Sequence, residues 1–269
     1  MSVNTLGGAV IGIERDGRVL VVELQRPPHN HFSVAMVEAI AAALEEGAND
    51  VGIGAAVLVA QGRSFCAGAD FGGDGDGSSS SSSELLGASF TTERLYAAAA
   101  RLCEVSLPWI AAVHGPAIGG GLGLALTANL RVTCPEARFA ANFVRLGIHQ
   151  GFGLSVTLPE LVGPSRAALV LLTGRRFHGD EATELGLADL CVPAEDVRSA
   201  ARSLAHEIAE GAPLAIRAIN RTLRAGLGDR VRQATRLEAG EQARLGATAD
   251  AAEGITSVLE RRPGQFVGR

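Results

Sequence analysis

The stretch WIAAVHGPAIGGGLGLALTA, residues 109–128, carries the pattern that decides the fold. Its first part, the apolar run 109–113 between Pro108 and Gly115, predicts a short buried strand followed by a turn. Three glycines follow at 119–121, and the Leu- and Ala-rich run after them favours a helix. The stretch therefore predicts a strand, a glycine turn and a helix start in direct succession.

A helix start of this kind is a place where an oxygen atom can gain negative charge. The first backbone N–H groups of a helix have no partners inside the helix, and the positive end of the helix dipole lies there. Glycine lets a ligand approach the backbone closely. Together these features can hold a developing oxyanion. A purely structural glycine turn explains the same pattern, and both interpretations stay open on this stretch alone.

Two other interpretations of the stretch are disfavoured. It is long enough to span a membrane, but five glycines and a proline divide it into strand-like and helix-like pieces, so we expect no membrane contact. A dinucleotide-binding fingerprint would need a third glycine at position 124, which is Leu124.

The composition is that of a globular protein of one domain, with or without a helical appendage. The chain has 269 residues, 47% of them hydrophobic, and a formal net charge of −5, which does not suggest a partner nucleic acid. All 24 basic residues are arginine. A Schiff-base lysine and a phosphate-loop lysine are therefore both excluded.

The cysteines indicate neither a metal centre nor a disulfide framework. The four of them are widely spaced and show no paired pattern; they are Cys66, Cys103, Cys134 and Cys191. The N-terminus lacks a basic region followed by a long apolar one, so we expect no secretion signal and a cytoplasmic protein.

Strand and helix patterns alternate along the first two thirds of the chain. Strands are predicted at 9–13 and 18–24 around an Asp16-Gly17 hairpin signal, and at 55–60 and 130–133. Helices are predicted from an N-cap at Ser33 to Gly47, and at 92–104, 164–172 and 182–187. The alternation predicts an α/β layered fold. Residues 72–83, GGDGDGSSSSSS, are predicted to form a flexible loop.

The last part of the chain, from Pro193 onward, is predicted to be mostly helical. One apolar stripe comprises Val197, Ala200, Ala201, Leu204 and Ile208, and a second comprises Ile216, Ile219, Leu223 and Leu227. These helices have no core of their own, which suggests packing on another subunit. Six arginines lie between residues 217 and 236. A solvated face with ion pairs is the simpler interpretation, and contact with an anionic ligand is the alternative.

Several motifs, taken in order, resemble those of the crotonase superfamily, the enoyl-CoA hydratase/isomerase group. The resemblance covers nearly the whole chain. The matching pieces are Arg26-Pro27 followed by Asn30, SFCAGAD at 64–70, HGPAIGGG at 114–121, LTG at 172–174, ELGL at 184–187, Glu253-Gly254 and RRPGQF at 261–266. Their joint order and spacing move the glycine stretch toward an anion site.

The resemblance implies an α/β crotonase (ClpP-like) spiral of ββα units over residues 1–195. A C-terminal helical region, 196–269, would form a homotrimer or a dimer of trimers. It implies an acyl-CoA thioester as the substrate, with CoA as part of that substrate and no separate cofactor or metal. By position, the oxyanion-hole N–H groups belong to Ala69 and Gly120. The residues that border CoA are then Ala67, Gly68 and Asp70, and Arg26 is our candidate for its phosphates.

The sequence departs from the family at both hydratase glutamates. Gly123 and Phe143 stand at these positions, whereas water addition by acid–base chemistry needs a pair of carboxylates. Standard hydration is therefore doubtful. His149 and Gln150 lie further along the same loop. Histidine can act as an acid or a base near neutral pH, and glutamine can orient a substrate by hydrogen bonds, although a structural role for His149 is the simpler interpretation.

Two functions remain open on the sequence. One is a crotonase-type lyase, isomerase or CoA-ester hydrolase that stabilises a thioester enolate. The other is a non-catalytic acyl-CoA-binding protein in which Gly123 and Phe143 form an apolar acyl slot. An intact oxyanion hole is compatible with both functions.

Overall fold

The computed structural model describes residues 11–69 and 90–269, apart from the side chains of residues 90 and 91. The predictions for Asp70 and for the loop 72–83 lie outside these residues. A six-stranded sheet in the order β1-β2-β3-β4-β6-β9 forms the centre of the fold. A three-stranded sheet in the order β5-β7-β8 lies beside it. The strands are β1 (Ile11–Asp16), β2 (Val19–Leu24), β3 (Ala55–Ala60), β4 (Trp109–Val113), β5 (Ala117–Ile118), β6 (Leu130–Thr133), β7 (Arg138–Ala140), β8 (Phe177–His178) and β9 (Leu190–Cys191).

Ten α-helices and two short 3₁₀ helices accompany the strands in the described residues. The 3₁₀ helices are Asn142–Leu146 and Ala194–Asp196. None of the helices in the described ranges is long and apolar enough to cross a membrane. The α-helices are α1 (Val34–Asn49), α2 (Phe90–Glu104), α3 (Gly120–Leu126), α4 (Leu154–Val162), α5 (Pro164–Thr173), α6 (Gly179–Leu185), α7 (Val197–Ala209), α8 (Pro213–Leu223), α9 (Leu227–Gly246) and α10 (Ala249–Leu259).

The central strands are apolar throughout because both of their faces are covered. Strand β3 pairs in parallel with β2 and β4, and every residue of β4 is buried. A parallel strand with helices over both faces has no solvated side, so its sequence shows no alternation. Helix α7 packs on β3 and β4, and α1 contacts β1 and β2. The predicted boundary at 195/196 thus falls just before a helix that covers the sheet, and the division stays a prediction.

Local signals read from the sequence are confirmed at several element ends. The hairpin between β1 and β2 turns at Gly17, whose φ is +60°. The Ser33 hydroxyl caps α1 by accepting a hydrogen bond from the Met36 N–H. The helix predicted at 182–187 begins earlier, at Gly179, because the Glu181 carboxylate accepts a hydrogen bond from the His178 N–H and fixes the first turn. Gly186, with φ of +87°, ends it.

The second predicted stripe of the C-terminal region faces outward from the protomer. Ile219 and Leu223 are 59% and 78% exposed, whereas Arg217 and Asn220 on the opposite side of α8 are 6% and 4% exposed. The inward polar side chains donate to carbonyl groups in the turns that follow α1 and α2. Arg217 donates to the carbonyls of Asp50 and Ile53. Asn220 donates to those of residues 105 and 106.

Arg224, directly after α8, extends this pattern to two helix ends. Its guanidinium donates to the Leu102 and Cys103 carbonyls in the last turn of α2, and to the Thr127 carbonyl at the end of α3. The last carbonyls of a helix have no partner within the helix, and the negative end of its dipole favours a cation. The prediction that the arginines of this region lie on a solvated face is therefore wrong for Arg217 and Arg224.

Removing the Arg224 guanidinium should destabilise the fold. We expect Arg224→Ala to lower the free energy of unfolding by about 2–3 kcal/mol, since it leaves helix-end carbonyls without their charged donor. Arg221→Ala is the matched control, because Arg221 is exposed and forms no hydrogen bond or ion pair with any described residue. Urea unfolding of both variants measures the difference. Equal effects of the two substitutions would contradict this role of Arg224.

Candidate active site

Two turns, at residues 66–69 and 116–120, contact each other through backbone atoms beside the N-terminus of α3. Cys66 and Ala117 form a parallel β-bridge. The Cys66 N–H donates to the Pro116 carbonyl over 3.1 Å, and the Ile118 N–H donates to the Cys66 carbonyl over 3.0 Å. These bonds fix the turn at 66–69 against the turn at 116–120. The two motifs that the sequence separates by about fifty residues are thus one structural unit.

The glycines of these motifs are required by the closeness of the two backbones. A Cβ atom on Gly121 would overlap the Cys66 carbonyl, and one on Gly115 would overlap the carbonyl of Arg63. Gly68 has φ of +82°, and a Cβ atom there would lie 2.6 Å from the Ile118 oxygen and 3.6 Å from the Gly120 nitrogen. Side chains at these three positions would force the turns apart.

The two N–H groups expected for an oxyanion belong to Ala69, in the first turn, and Gly120, in the second. Neighbouring N–H groups are occupied, since Ala67 donates to the His29 carbonyl and Gly119 donates to the Ala140 carbonyl. Within the described ranges, the N–H groups of Ala69 and Gly120 donate to no backbone carbonyl. Gly120 is also the first residue of α3, at the positive end of its dipole. The pair can therefore donate to an external acceptor.

Asn30 holds the loop that contains Arg26 against the segment that leads into the turn at 66–69. Its side chain is fully buried, and its backbone has φ of +49°. The Asn30 amide accepts from the Arg26 N–H over 2.9 Å and donates to the carbonyls of Gln61 and Ser64. The Arg26 guanidinium donates to the His31 carbonyl over 2.9 Å. The Asn30 bonds explain why an asparagine follows the Arg-Pro pair in the sequence motif.

Arg26, Ala67 and Gly68 therefore lie in one region of the structure. The Phe32 N–H donates to the Gly68 carbonyl, which joins the Arg26 loop to the turn. The thiol of Cys66 in this turn is fully buried, and its burial raises the pKa to about 12. Cys66 is therefore a protonated thiol at neutral pH and cannot serve as a nucleophile.

Phe152 occupies the space next to Gly123. A Cβ atom on Gly123 would lie 2.6 Å from the Phe152 Cβ and 2.9 Å from its Cδ1. Phe152 is 1% exposed, so this side of α3 is filled by an aromatic ring. The prediction that Gly123 forms an open acyl slot together with Phe143 is therefore corrected. Gly123 makes room for the Phe152 side chain and does not face an open slot.

Two further phenylalanines contact the same turn of α3. The half-buried ring of Phe143 points toward Gly119, with its Cζ 3.7 Å from where a Cβ atom would stand. Phe32 packs so closely on Gly120 that a Cβ atom there would overlap its ring. The Phe32 and Phe152 ring centroids are 5.9 Å apart. The nearest contacts of Gly120 and Gly123 are therefore aromatic, and Gly119 lies against Phe143 and the amide oxygen of Asn142.

The loop 147–153 carries both of the remaining polar candidates. His149 Nδ1 lies 2.8 Å from the Gln150 carbonyl. A ring nitrogen facing a carbonyl must carry the proton, so Nε2 is the free basic nitrogen of the neutral ring. Gln150 Nε2 donates to the Ser155 hydroxyl over 3.0 Å. Both side chains are half-buried.

A buried carboxylate from α9 holds the end of this loop, and the sequence analysis did not identify it. Glu238 is fully buried, and its two oxygens accept from the N–H groups of Gly153 and Ser155 over 2.8 and 2.9 Å. Burial raises the pKa of Glu238, although the hydrogen bonds from Ser155 and Gly153 favour the charged form. It lies in a helix with many charged and polar residues, so nothing in the pattern distinguished it from a solvated glutamate.

Metal ligation finds no support in the described part of the chain. No group of three or more His, Cys, Asp or Glu side chains in residues 11–69 and 90–269 could hold a metal ion.

Comparison with known proteins identifies the family of the chain. The sequence model of the enoyl-CoA hydratase/isomerase family matches residues 14–269. A protein of Mycobacterium bovis named probable enoyl-CoA hydratase is 32% identical over 262 residues, which cover 96% of this chain and 97% of that protein. The 2,3-dehydroadipyl-CoA hydratase of Escherichia coli is 33% identical, with 96% and 98% covered.

A crystal structure of an enoyl-CoA hydratase/isomerase from Pseudoalteromonas atlantica superposes with a TM-score of 0.81 at 27% identity. The match covers 96% of this chain and all of the other. The predicted α/β crotonase fold is confirmed. The chain belongs to the enoyl-CoA hydratase/isomerase family.

Proposed function

We propose that the protein is an enzyme that stabilises the enolate of an acyl-CoA thioester with the N–H groups of Ala69 and Gly120. The observation that carries this proposal is the approach of the two turns, which leaves both N–H groups without a backbone acceptor in the described chain. When a proton leaves the carbon next to a thioester, negative charge collects on the carbonyl oxygen. Two fixed donors and a helix dipole stabilise that charge without reorganising.

The region around Arg26 is our proposed binding region for CoA. Ala67 and Gly68 lie in the first turn, and Asp70 follows that turn in the sequence. The chain has no lysine, so arginine side chains and backbone N–H groups must bind the CoA phosphates. Arg26 is our first candidate, since its guanidinium lies at the loop tied to Gly68.

We further propose that the reaction is not the usual addition of water. Gly123 and Phe143 supply no carboxylate, and Phe152 fills the space at Gly123. His149 is the ionisable side chain of the loop 147–153, and its free Nε2 can accept or return a proton. Isomerisation, thioester hydrolysis and C–C cleavage all pass through charge on the thioester oxygen.

The second candidate function is acyl-CoA binding without turnover. The aromatic, uncharged surroundings of Gly120 favour it, because the same N–H groups also bind a thioester in its ground state. The two functions can be distinguished by experiment. An enzyme exchanges atoms of the acyl group with solvent or breaks a bond in that group, and a binding protein does neither.

A homotrimer or a dimer of trimers is our proposed assembly. Leu214, Ile219 and Leu223 on α8 are each more than half exposed in the protomer. Ile219 and Leu223 are four residues apart and so lie on one side of the helix. Exposed apolar side chains of this kind are typical of an interface with another subunit.

Incubation of the protein with enoyl- and 3-oxoacyl-CoA esters in isotopically labelled water tests the enzyme proposal. We expect label to enter the acyl group next to the thioester, because enolate formation exchanges that proton with solvent. Cleavage of the acyl chain would also support turnover, and the products would identify the type of reaction. Mass spectrometry of the recovered esters measures both outcomes.

A pair of variants at Ala69 provides the control for this exchange. Ala69→Pro removes one N–H donor, and we expect label incorporation to fall by about 100-fold or more. Ala69→Gly keeps the donor and should retain most of the exchange. If the wild-type protein binds the esters and returns every one unlabelled and intact, the binding function replaces the enzyme proposal.

His149→Ala tests the proton carrier. We expect incorporation to fall by roughly 100-fold, the lower range for loss of a general acid or base. His206→Ala is the control, since His206 lies on α7 and contacts Asp16 on the surface. Full turnover by His149→Ala would exclude His149 as the proton carrier and leave the oxyanion-hole proposal intact.

Leu223→Asp tests the assembly. Because Leu223 is 78% exposed in the protomer, the substitution should leave the fold intact while placing a charge in the interface. We expect sedimentation of the wild type at three or six chain masses and of the variant at a smaller mass, with an unchanged circular dichroism spectrum. A monomeric wild-type protein would contradict the proposed trimer.

A further inference from the structure

Phe152 holds a backbone conformation that bulky residues rarely adopt. Its φ is +61°, in the left-handed region. Large side chains persist there only when the surroundings fix them. Glycines stand on both sides of it, at 151 and 153. The conformation therefore points to specific contacts that hold this residue in place.

Those contacts come from buried polar side chains on two helices. The Gly153 N–H, next to Phe152, donates to Glu238 of α9, and the Ser155 N–H donates to the second oxygen of the same carboxylate. On the other side of Phe152, the Tyr96 hydroxyl of α2 lies close to Gly151, since a Cβ atom there would stand 2.2 Å from it. The residues on both sides of Phe152 thus contact buried polar side chains of α2 and α9.

A second set of hydrogen bonds holds the other end of the loop. The Tyr96 hydroxyl donates to Gln242 Oε1 over 2.5 Å, and Gln242 Nε2 donates to the His149 carbonyl over 3.0 Å. Tyr96, Glu238 and Gln242 are each at most 7% exposed. A network of buried hydrogen bonds at both ends of a loop fixes the conformation of the segment between them.

The result of this network is the position of the Phe152 ring. The ring lies against Gly123 and 5.9 Å from the ring of Phe32, which packs on Gly120. Gly120 and Gly123 are one helical turn apart on the same side of α3. The Phe152 side chain thus closes the space one turn away from a proposed oxyanion donor.

We propose that Phe152 is a specificity-determining residue, which limits the bulk of the acyl group next to the oxyanion site. We assign Glu238 as the positioning residue that holds Phe152 there. This inference rests on the proposed acyl-CoA site. The ligand class is CoA thioesters with an uncharged, unbranched acyl group, because the enclosing side chains are aromatic and the space at Gly123 is already filled.

The carboxylate of Glu238 is suited to this role because it only accepts hydrogen bonds. Both of its oxygens face backbone N–H donors. An amide in its place has one oxygen and one NH₂ group, so it would turn a donor toward one of these N–H groups. Glu238→Gln should therefore release one of the two and loosen the loop beside Phe152.

The test measures binding and does not depend on turnover. The probes are S-(2-oxopentyl)-CoA and its branched counterpart S-(4,4-dimethyl-2-oxopentyl)-CoA, whose thioether link resists hydrolysis, together with CoA itself. Calorimetry gives the dissociation constants for the wild type and the variants. We expect Phe152→Ala to shift the ratio of the two ketone affinities toward the branched probe by tenfold or more, with CoA affinity unchanged. Phe152→Leu, a milder change to the core, should give a smaller shift in the same direction.

Glu238→Gln should shift the same ratio by several-fold, and it should add nothing in the Phe152→Ala background. Glu241→Gln is the matched control. It lies on the same helix and also acts electrostatically on His149, but its carboxylate is bound to Arg244 and not to the loop. We expect no shift from it.

The outcomes separate this inference from the proposed function. An unchanged ratio in Phe152→Ala and Phe152→Leu, with binding retained, overturns the specificity role alone. An equal shift from Glu238→Gln and Glu241→Gln overturns the positioning role, since a charge effect on His149 would then explain both. A wild-type protein that binds none of the three CoA compounds overturns the proposed acyl-CoA site, and this inference with it.

Discussion

The backbone contact between the turns at 66–69 and 116–120 is the constraint on which the rest of the structure depends. Its hydrogen bonds at Cys66 leave no room for side chains at Gly115 or Gly121. It also brings the first residue of α3 close to Gly68, where a Cβ atom would lie 3.6 Å from the Gly120 nitrogen. The central sheet serves this contact, because strands β3 and β4 are adjacent and parallel, so the two turns leave the same edge of the sheet. The site is made of main chain, and side chains mainly decide what surrounds it.

Buried polar groups from the C-terminal helices secure the elements around that contact. Arg217 and Arg224 bind carbonyls that follow or end helices, and Glu238 binds N–H groups at the start of α4. Each charge meets the end of a helix whose dipole suits its sign. The C-terminal region therefore does more than offer an apolar surface, since its inward faces determine where the loops of the site stand. Helix α8 thus has exposed apolar side chains on its outward face and polar side chains that contact the interior of the protomer.

The sequence predicted the parts of the fold whose signals are local. Continuous apolar runs identified β3 and β4, and the ordered motifs identified the family and the two turns. The sequence did not predict the inward side of α8, because Arg217 and Asn220 look like solvated polar residues although both are buried. Glu238 and Phe152 were missed for a related reason. A glutamate in a polar helix and a phenylalanine between two glycines become informative only when contacts across about 85 residues bring them together.

The pairing of Gly123 with Phe152 has a consequence for how this site could change over evolutionary time. A larger residue at 123 cannot enter while Phe152 is in place, since its Cβ would lie 2.6 Å from that of the phenylalanine. Loss of Phe152 alone would leave a cavity in the core, which lowers stability. Each single substitution is therefore unfavourable. A larger side chain at 123 requires a smaller one at 152, so the two substitutions must occur together or in close succession. A lineage that has adopted this arrangement is therefore held in it by the packing of these two residues.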